Sequence, residues 1–245
     1  MAGIEREPMK STAEILIGPK NRADYLRGLL HLDALDGLQE NANAAYCAVS
    51  LTNTPEKAKP FVRERQNQVK EILEHAGISS YDPGTAPLSP DLNLSAGPAE
   101  IYKTDLARIA GARFFTAFDT FPSTGVGVEI EAARRYNRIP VIFHDTSIRT
   151  SRMQPDCAIH VTITDIDEQA ERLSEMFKML KGYEPGRGLV NKQPALLGFK
   201  DGKAEHLTDV IQQQFPELAY TFDGTKPALQ FGITNQETLF TRPKQ

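Results

Sequence analysis

The sequence predicts an α/β fold in which a parallel five-stranded sheet is flanked by helices and carries an extension at each end. Two observations predict it. Strand-like apolar runs alternate with helix-period segments between about residues 44 and 181, which implies βαβ units. The composition, 40% hydrophobic and 24% charged over 245 residues, is that of a globular chain with enough length for a sizeable core. Boundaries are expected near residues 43 and 182, giving segments 1–43, 44–181 and 182–245.

Taken in order, Ala23–Leu38 places Leu26, Leu29, Leu30, Leu35 and Leu38 on one face of an N-terminal helix. Ala44–Leu51 reads as a buried strand. Pro55–Ala76 reads as an amphipathic helix with Val62, Val69, Ile72 and Leu73 on one side, closed by Gly77. Ile78–Tyr81 is a short strand. The loop from Asp82 to about Pro98 is long for a compact domain, as functional loops are. Ala99–Ala110 is a helix and Ala112–Phe118 a third strand. A glycine-containing turn, Asp119–Gly127, leads into a helix over Val128–Asn137. Ile139–Phe143 and Ala158–Ile163 are strands four and five, and Asp165–Leu180 is the last helix. Gly182, Pro185, Gly186 and Gly188 mark a loop boundary. Beyond it Leu218–Phe222 and Ala228–Thr234 read as strands of a C-terminal extension.

Several function classes are excluded or disfavoured. A net charge of −4 with scattered basic residues offers no footprint for a nucleic-acid polymer. No apolar run approaches the ~18 residues of a membrane span. The N-terminus lacks the basic-then-apolar layout of a secretory signal, so a cytoplasmic location is expected. The two cysteines, Cys47 and Cys157, fall in apolar runs and read as reduced core residues. No Cys/His cluster has metal-ligand spacing, so neither a metal nor another cofactor is expected.

Ligands of open parallel sheets bind at the carboxyl ends of the strands. The stretch after strand three, Asp119 through Ser123-Thr124-Gly125-Val126-Gly127-Val128-Glu129, is therefore the most informative. Two glycines open a tight turn whose backbone amides suit an anion. Glu129 in the first helical turn is expected to be ionised near neutral pH, able to attack an electrophilic carbon or to steady a developing cation. Its plainer reading is a partner of the helix dipole or a capping-box member.

The arrangement resembles the nucleoside 2-deoxyribosyltransferase superfamily over roughly residues 44–181. Ala45-Tyr46-Cys-Ala-Val-Ser50 resembles its first strand, which presents a tyrosine to the active site. Ile101-Tyr-Lys-Thr-Asp105-Leu106 resembles the helix that supplies an aspartate. Ser123 to Glu129 resembles the loop bearing the nucleophilic glutamate, and Arg138-Ile-Pro-Val-Ile the strand that follows. The resemblance implies a flavodoxin-like, Rossmann-like domain that breaks a base–sugar bond by double displacement: Glu129 attacks C1′, Asp105 orients it or the sugar, and Tyr46 holds Glu129 or the sugar by its hydroxyl.

Within the superfamily the chain resembles the 2′-deoxynucleoside 5′-monophosphate N-hydrolases, because Ser123 stands where the transferase branch has an aspartate. In the hydrolases that serine helps bind phosphate, and a hydroxyl can donate to phosphate where a carboxylate would repel it. Ser50 and Ser151 align with phosphate-binding serines, Ser151 reaching a neighbouring subunit, which implies a homo-oligomer. Thr52 departs from the arginine of those hydrolases; Arg149 or Arg152 are the possible substitutes. Asp119 is expected to contact the base or cap the turn, with His144 and Asp145 near the pocket rim. Three readings stay open: a nucleotide N-glycosidase, a base-exchanging deoxyribosyltransferase, and a nucleotide-sensing module without catalysis. All three take a small nucleoside or nucleotide as partner.

Overall fold

The computed structural model describes residues 40–50, 54–86, 95, 97–119, 123–145, 157–190 and 192–220. The expected N-terminal helix, Thr52, Arg149, Ser151, Arg152, most of the long loop after Asp82 and the expected strand Ala228–Thr234 lie outside these residues.

The chain builds β1 (Asn41–Ala48), a short 3-10 turn (Glu56–Ala58), α1 (Lys59–His75), β2 (Ser79–Tyr81), α2 (Pro98–Gly111), β3 (Ala112–Phe118), α3 (Thr124–Arg135), β4 (Ile139–Asp145), β5 (Ile159–Ile163) and α4 (Ile166–Leu180). The five strands form one sheet in the order β2-β1-β3-β4-β5, and every pairing is parallel. The expected α/β class is therefore observed.

Strand alternation sorts the side chains into two cores. Ala45, Cys47, Phe114, Val141 and Phe143 face α1 and α4, where Phe114 meets Phe177 edge-on at 5.6 Å. Tyr46, Ala48, Phe115, Ala117 and Ile142 face the other way, against Leu106 and Ile109 of α2 and Ala132 and Ala133 of α3. Local chemistry agrees with the packing. Gly77 takes φ +69° after α1, and its amide donates to the Glu74 carbonyl while Ile78 donates to Leu73, a closure that needs a left-handed residue. Asp165 caps α4 by accepting from the amides of Asp167 and Glu168, an arrangement that contributes about 1 kcal/mol.

Three expectations are corrected. α3 begins at Thr124, four residues before the expected start, because Ser123 caps it through Val126 and the glycines form its first turn. It ends at Arg135, where Asn137 takes φ +62°. β4 runs two residues further than expected, pairing His144 with Thr162 and Asp145 with Ile163.

The third correction concerns the glycines and proline after residue 181. They form strand β6 (Glu184–Val190), antiparallel to β7 (Gln193–Lys200), which pairs with β8 (Lys203–His206). This sheet and α5 (Leu207–Gln214) set Tyr183, Leu196, Leu207 and Ile211 into the same core as α1 and α4. Close approach explains one glycine: a Cβ at Gly198 would lie 2.4 Å from Leu207 Cδ2 and 2.6 Å from Tyr183 Cδ1. Of the expected strand Leu218–Phe222, Leu218 falls in a 3-10 turn, Pro216–Leu218, Ala219 bridges to Val161, and residues 221 and 222 lie outside the described residues.

Candidate active site

At the carboxyl end of the sheet β1 delivers Tyr46, α2 delivers Asp105 and α3 delivers Glu129. Tyr46 is fully buried. Its ring is stacked between Tyr81 at 5.6 Å and Phe115 at 5.8 Å, which leaves the hydroxyl one direction to point. It donates to Glu129 Oε1 at 2.9 Å, and the Asp105 carboxyl lies close enough to act on the same phenol. The three residues thus converge, although Tyr46 and Glu129 are 83 positions apart in sequence.

Among the described residues no cation acts on either acid, and the electrostatics follow from that. Glu129 is partly exposed as a residue, but its carboxylate is ringed by protein atoms. Burial raises it to about 7, the Tyr46 hydrogen bond works against the rise, and the Asp105 charge adds to it. Asp105 is raised too, by burial first, with Tyr46 again opposing. Burial and both carboxylates push the Tyr46 phenol far above its ordinary range, so it is a neutral donor. The expectation of a fully ionised Glu129 is corrected here. α3 starts at Thr124, so Glu129 sits in the second turn, past the strongest part of the helix dipole, and desolvation dominates.

One phenolic proton faces two carboxylates. Tyr46 gives it to Glu129, and the two acids, each raised by burial, compete for the next proton taken up. The pair then titrates as a unit.

The remaining candidates are placed as follows. The Ser123 hydroxyl accepts from the Val126 amide at 3.3 Å; its own proton stays available to a ligand. Gly127 donates to the Ser123 carbonyl, so it is not a free anion donor. The amides of Thr124 and Gly125 have no acceptor within the helix. A Cβ at Gly127 would meet nothing within 4 Å, and one at Gly125 only Ser123 Oγ at 3.7 Å, so packing requires neither glycine. Ser50 is 6% exposed, and its hydroxyl has no partner among the described residues. It lines a narrow cleft with Val62, Gln66, Phe118 and Phe143. Several of these face α1, so the cleft lies largely across the sheet from Glu129.

Asp119 ends β3 on the Tyr46 face, and its Oδ2 lies 3.6 Å from His144 Nδ1. The sequence reading missed what lies behind it. His144 Nε2 is 2.8 Å from His160 Nδ1, and Tyr220 stacks on His144 at 4.0 Å. Knowledge of strand register was the missing signal, because the two histidines meet only when β4 and β5 pair. Asp145, by alternation, points to the opposite face. Among the described residues no group of three or more His, Cys, Asp or Glu side chains is arranged to hold a metal, and no helix is long and apolar enough to cross a membrane.

No family model matches the chain, and no curated protein matches it. Among solved structures it is similar to the CMP N-glycosidase BcmB of Clostridium botulinum, at 15% identity and a TM-score of 0.39, over 54% of this chain and 98% of that one. It is also similar to a 2-desoxiribosyltransferase of Leishmania mexicana, at 14% identity and a TM-score of 0.33, over 44% of this chain and 67% of that one. Both likenesses are remote in sequence and in superposition.

Proposed function

We propose that the protein cleaves the N-glycosidic bond of a nucleoside 5′-monophosphate, with Glu129 as the nucleophile. The observation that carries this reading is the Tyr46–Glu129 hydrogen bond with Asp105 beside the same phenol, at the carboxyl end of a parallel sheet where ligands of such folds bind. A binding module has no need of two desolvated acids beside one phenol, whereas acid–base and nucleophilic chemistry uses them. The chemistry is a double displacement. Glu129 attacks C1′ through an oxocarbenium-like transition state, the base leaves, and water releases the sugar phosphate from the glycosyl-enzyme.

Tyr46 holds the Glu129 oxygen in place, and Asp105, beside the same phenol, raises the proton affinity of Glu129. The 5′-phosphate is assigned to the Ser123 hydroxyl and the open amides of Thr124 and Gly125, where the helix start favours an anion. Hydrogen bonds to a charged group contribute roughly 1.5–3 kcal/mol each. A monophosphate should therefore exceed its nucleoside in kcat/KM by at least about tenfold.

The test is incubation with a panel of nucleosides and 5′-monophosphates, with and without a second free base. Release of base without an acceptor supports hydrolysis. Exchange that requires the second base replaces it with a transferase. No reaction with any member removes the catalytic reading.

A further inference from the structure

We propose that Asp119, His144 and His160 form a proton relay that protonates the departing base, a step that rests on the glycosidase reading above. Three observations build the line. Strand alternation puts Asp119 on the face of Phe115 and Ala117, which is the face of Tyr46 and α3. His144 on β4 and His160 on β5 point to that same face, one strand further out at each step. The groups then follow one another: His144 Nε2 lies 2.8 Å from His160 Nδ1, and His144 Nδ1, which has no hydrogen-bond partner among the described residues, faces Asp119 Oδ2 at 3.6 Å, a gap that must close by a few tenths of an ångström for the proton to pass.

Burial grades along the line as a relay requires. His144 is 1% exposed, while Asp119 at one end and His160 at the other are partly exposed. Tyr220 closes the flat side of His144 at 4.0 Å and an interplanar angle of 25°. The segment bearing Tyr220 is held to β5 by the Ala219–Val161 bridge and by the Thr162 hydroxyl donating to the Ala219 carbonyl at 3.2 Å. A chain segment outside the βα core therefore seals the middle of the line from water. Among the described residues the groups against His144 are Asp119, His160 and Tyr220, of which Asp119 carries a negative charge.

The step balances. The C1′–N bond breaks and its electron pair goes to the base, while Glu129 forms the new bond to C1′. A His160 imidazolium passes its Nδ1 proton to His144 Nε2. His144 passes its Nδ1 proton to Asp119, and Asp119 gives it to the base nitrogen. Water returns one proton to the relay. General-acid assistance of this kind contributes roughly 10²–10⁴-fold.

The test compares two substrates: an ordinary purine nucleoside 5′-monophosphate and its 7-methylated counterpart, whose base already carries a positive charge and leaves without a proton. In His144→Phe, and in the less buried Asp119→Asn, the rate loss on the ordinary nucleotide should exceed that on the methylated one by at least about tenfold. Equal losses on both substrates in both variants overturn the relay and leave the glycosidase reading standing. If the wild-type protein releases base from other nucleotides but from neither of these, the relay to a purine is overturned; if it releases base from no member of the nucleotide panel, the glycosidase reading falls and the relay falls with it.

Discussion

At the amino ends of β1, β3 and β4 the acids meet guanidinium groups. Glu40 bridges Arg113, at 2.7 Å, and Arg138. Arg113 also reaches Glu184 at 2.8 Å and the carbonyls of Lys181 and Tyr183. Arg187 donates to the Arg138 carbonyl, and Asn137 to that of Pro185. This end therefore stitches the antiparallel sheet to the parallel one. At the carboxyl ends Asp105 and Glu129 meet a phenol and each other. Two residues of α3 show the same contrast at short range. Glu131, clasped by Arg134 and Arg135, is held down at about 2, whereas Glu129 stands at about 7. Counter-charge makes an acid structural, and its removal under desolvation makes an acid able to exchange a proton near neutrality.

The largest effect should come from Glu129→Gln. Turnover should fall by several orders of magnitude, about 4–6 kcal/mol of barrier, and survival of more than about a tenth of the activity would refute the nucleophile. The same variant should be more stable than wild type at pH 8. The folded protein holds the Glu129 proton more tightly than the unfolded chain, 4.5 being the ordinary value. Its stabilisation is full below about 4.5 and is lost as pH rises through about 7. Glutamine lacks that loss, so thermal melts should show a gain of about 1–3 kcal/mol at pH 8 and none at pH 4.

Arg138→Met breaks the other end. Arg138 is 2% exposed, and its loss leaves Glu40 with Arg113 alone. Stability should drop by about 2–3 kcal/mol, somewhat less than for a buried charge left wholly unpaired. Turnover per folded molecule, by denaturant titration and assay, should stay within about twofold. A change in kcat as large as that of a Tyr46 variant would mean that the two ends are coupled.

Tyr46→Phe and Asp105→Asn should each lower turnover by about 10- to 100-fold, as positioning defects do, but with opposite signatures in pH. Tyr46 lowers the Glu129 value, so its loss should move the acidic limb of kcat/KM to higher pH. Asp105 raises it, so Asp105→Asn should move that limb lower. Shifts in the same direction would dismiss this account of how Tyr46 and Asp105 act on Glu129.

Much of this was legible in the sequence, and the failures share a cause. Periodicity located all five parallel strands, since Ala112–Phe118 and its neighbours each carry a local signal. The order Tyr46, Asp105, Glu129 was legible through resemblance, and the structure brings the three together. Gly186 and Gly188 were misread because a glycine that breaks a strand and one inside an antiparallel pair look alike until the partner strand, here β7, is in place. The Glu40–Arg113–Arg138 cluster and the His144–His160 contact were invisible, because each depends on register between distant strands. The ionisation of Glu129 was misjudged because a helix start moved by four residues changes which turn a carboxylate occupies.

The smallest expected effect sharpens the comparison between a glycine used for packing and one used for access. Gly198 cannot gain a Cβ without a clash, whereas at Gly125 a methyl would meet only Ser123 Oγ, at an ordinary 3.7 Å. Gly125 lies four residues before Glu129 on α3. Side chains on a helix lean toward its N-terminus, so the Glu129 carboxylate reaches over the Gly125 turn. Glycine costs a helix roughly 0.5–1 kcal/mol relative to alanine, and nothing in the packing offsets that cost here. Gly125→Ala should therefore leave the melting temperature unchanged or raise it slightly. If the space beside the carboxylate admits the sugar phosphate, the same methyl should raise KM by about 3- to 10-fold, a loss near 1 kcal/mol, with a smaller change in kcat. A variant that is more stable and kinetically normal would show that the open space over Gly125 is not where substrate enters.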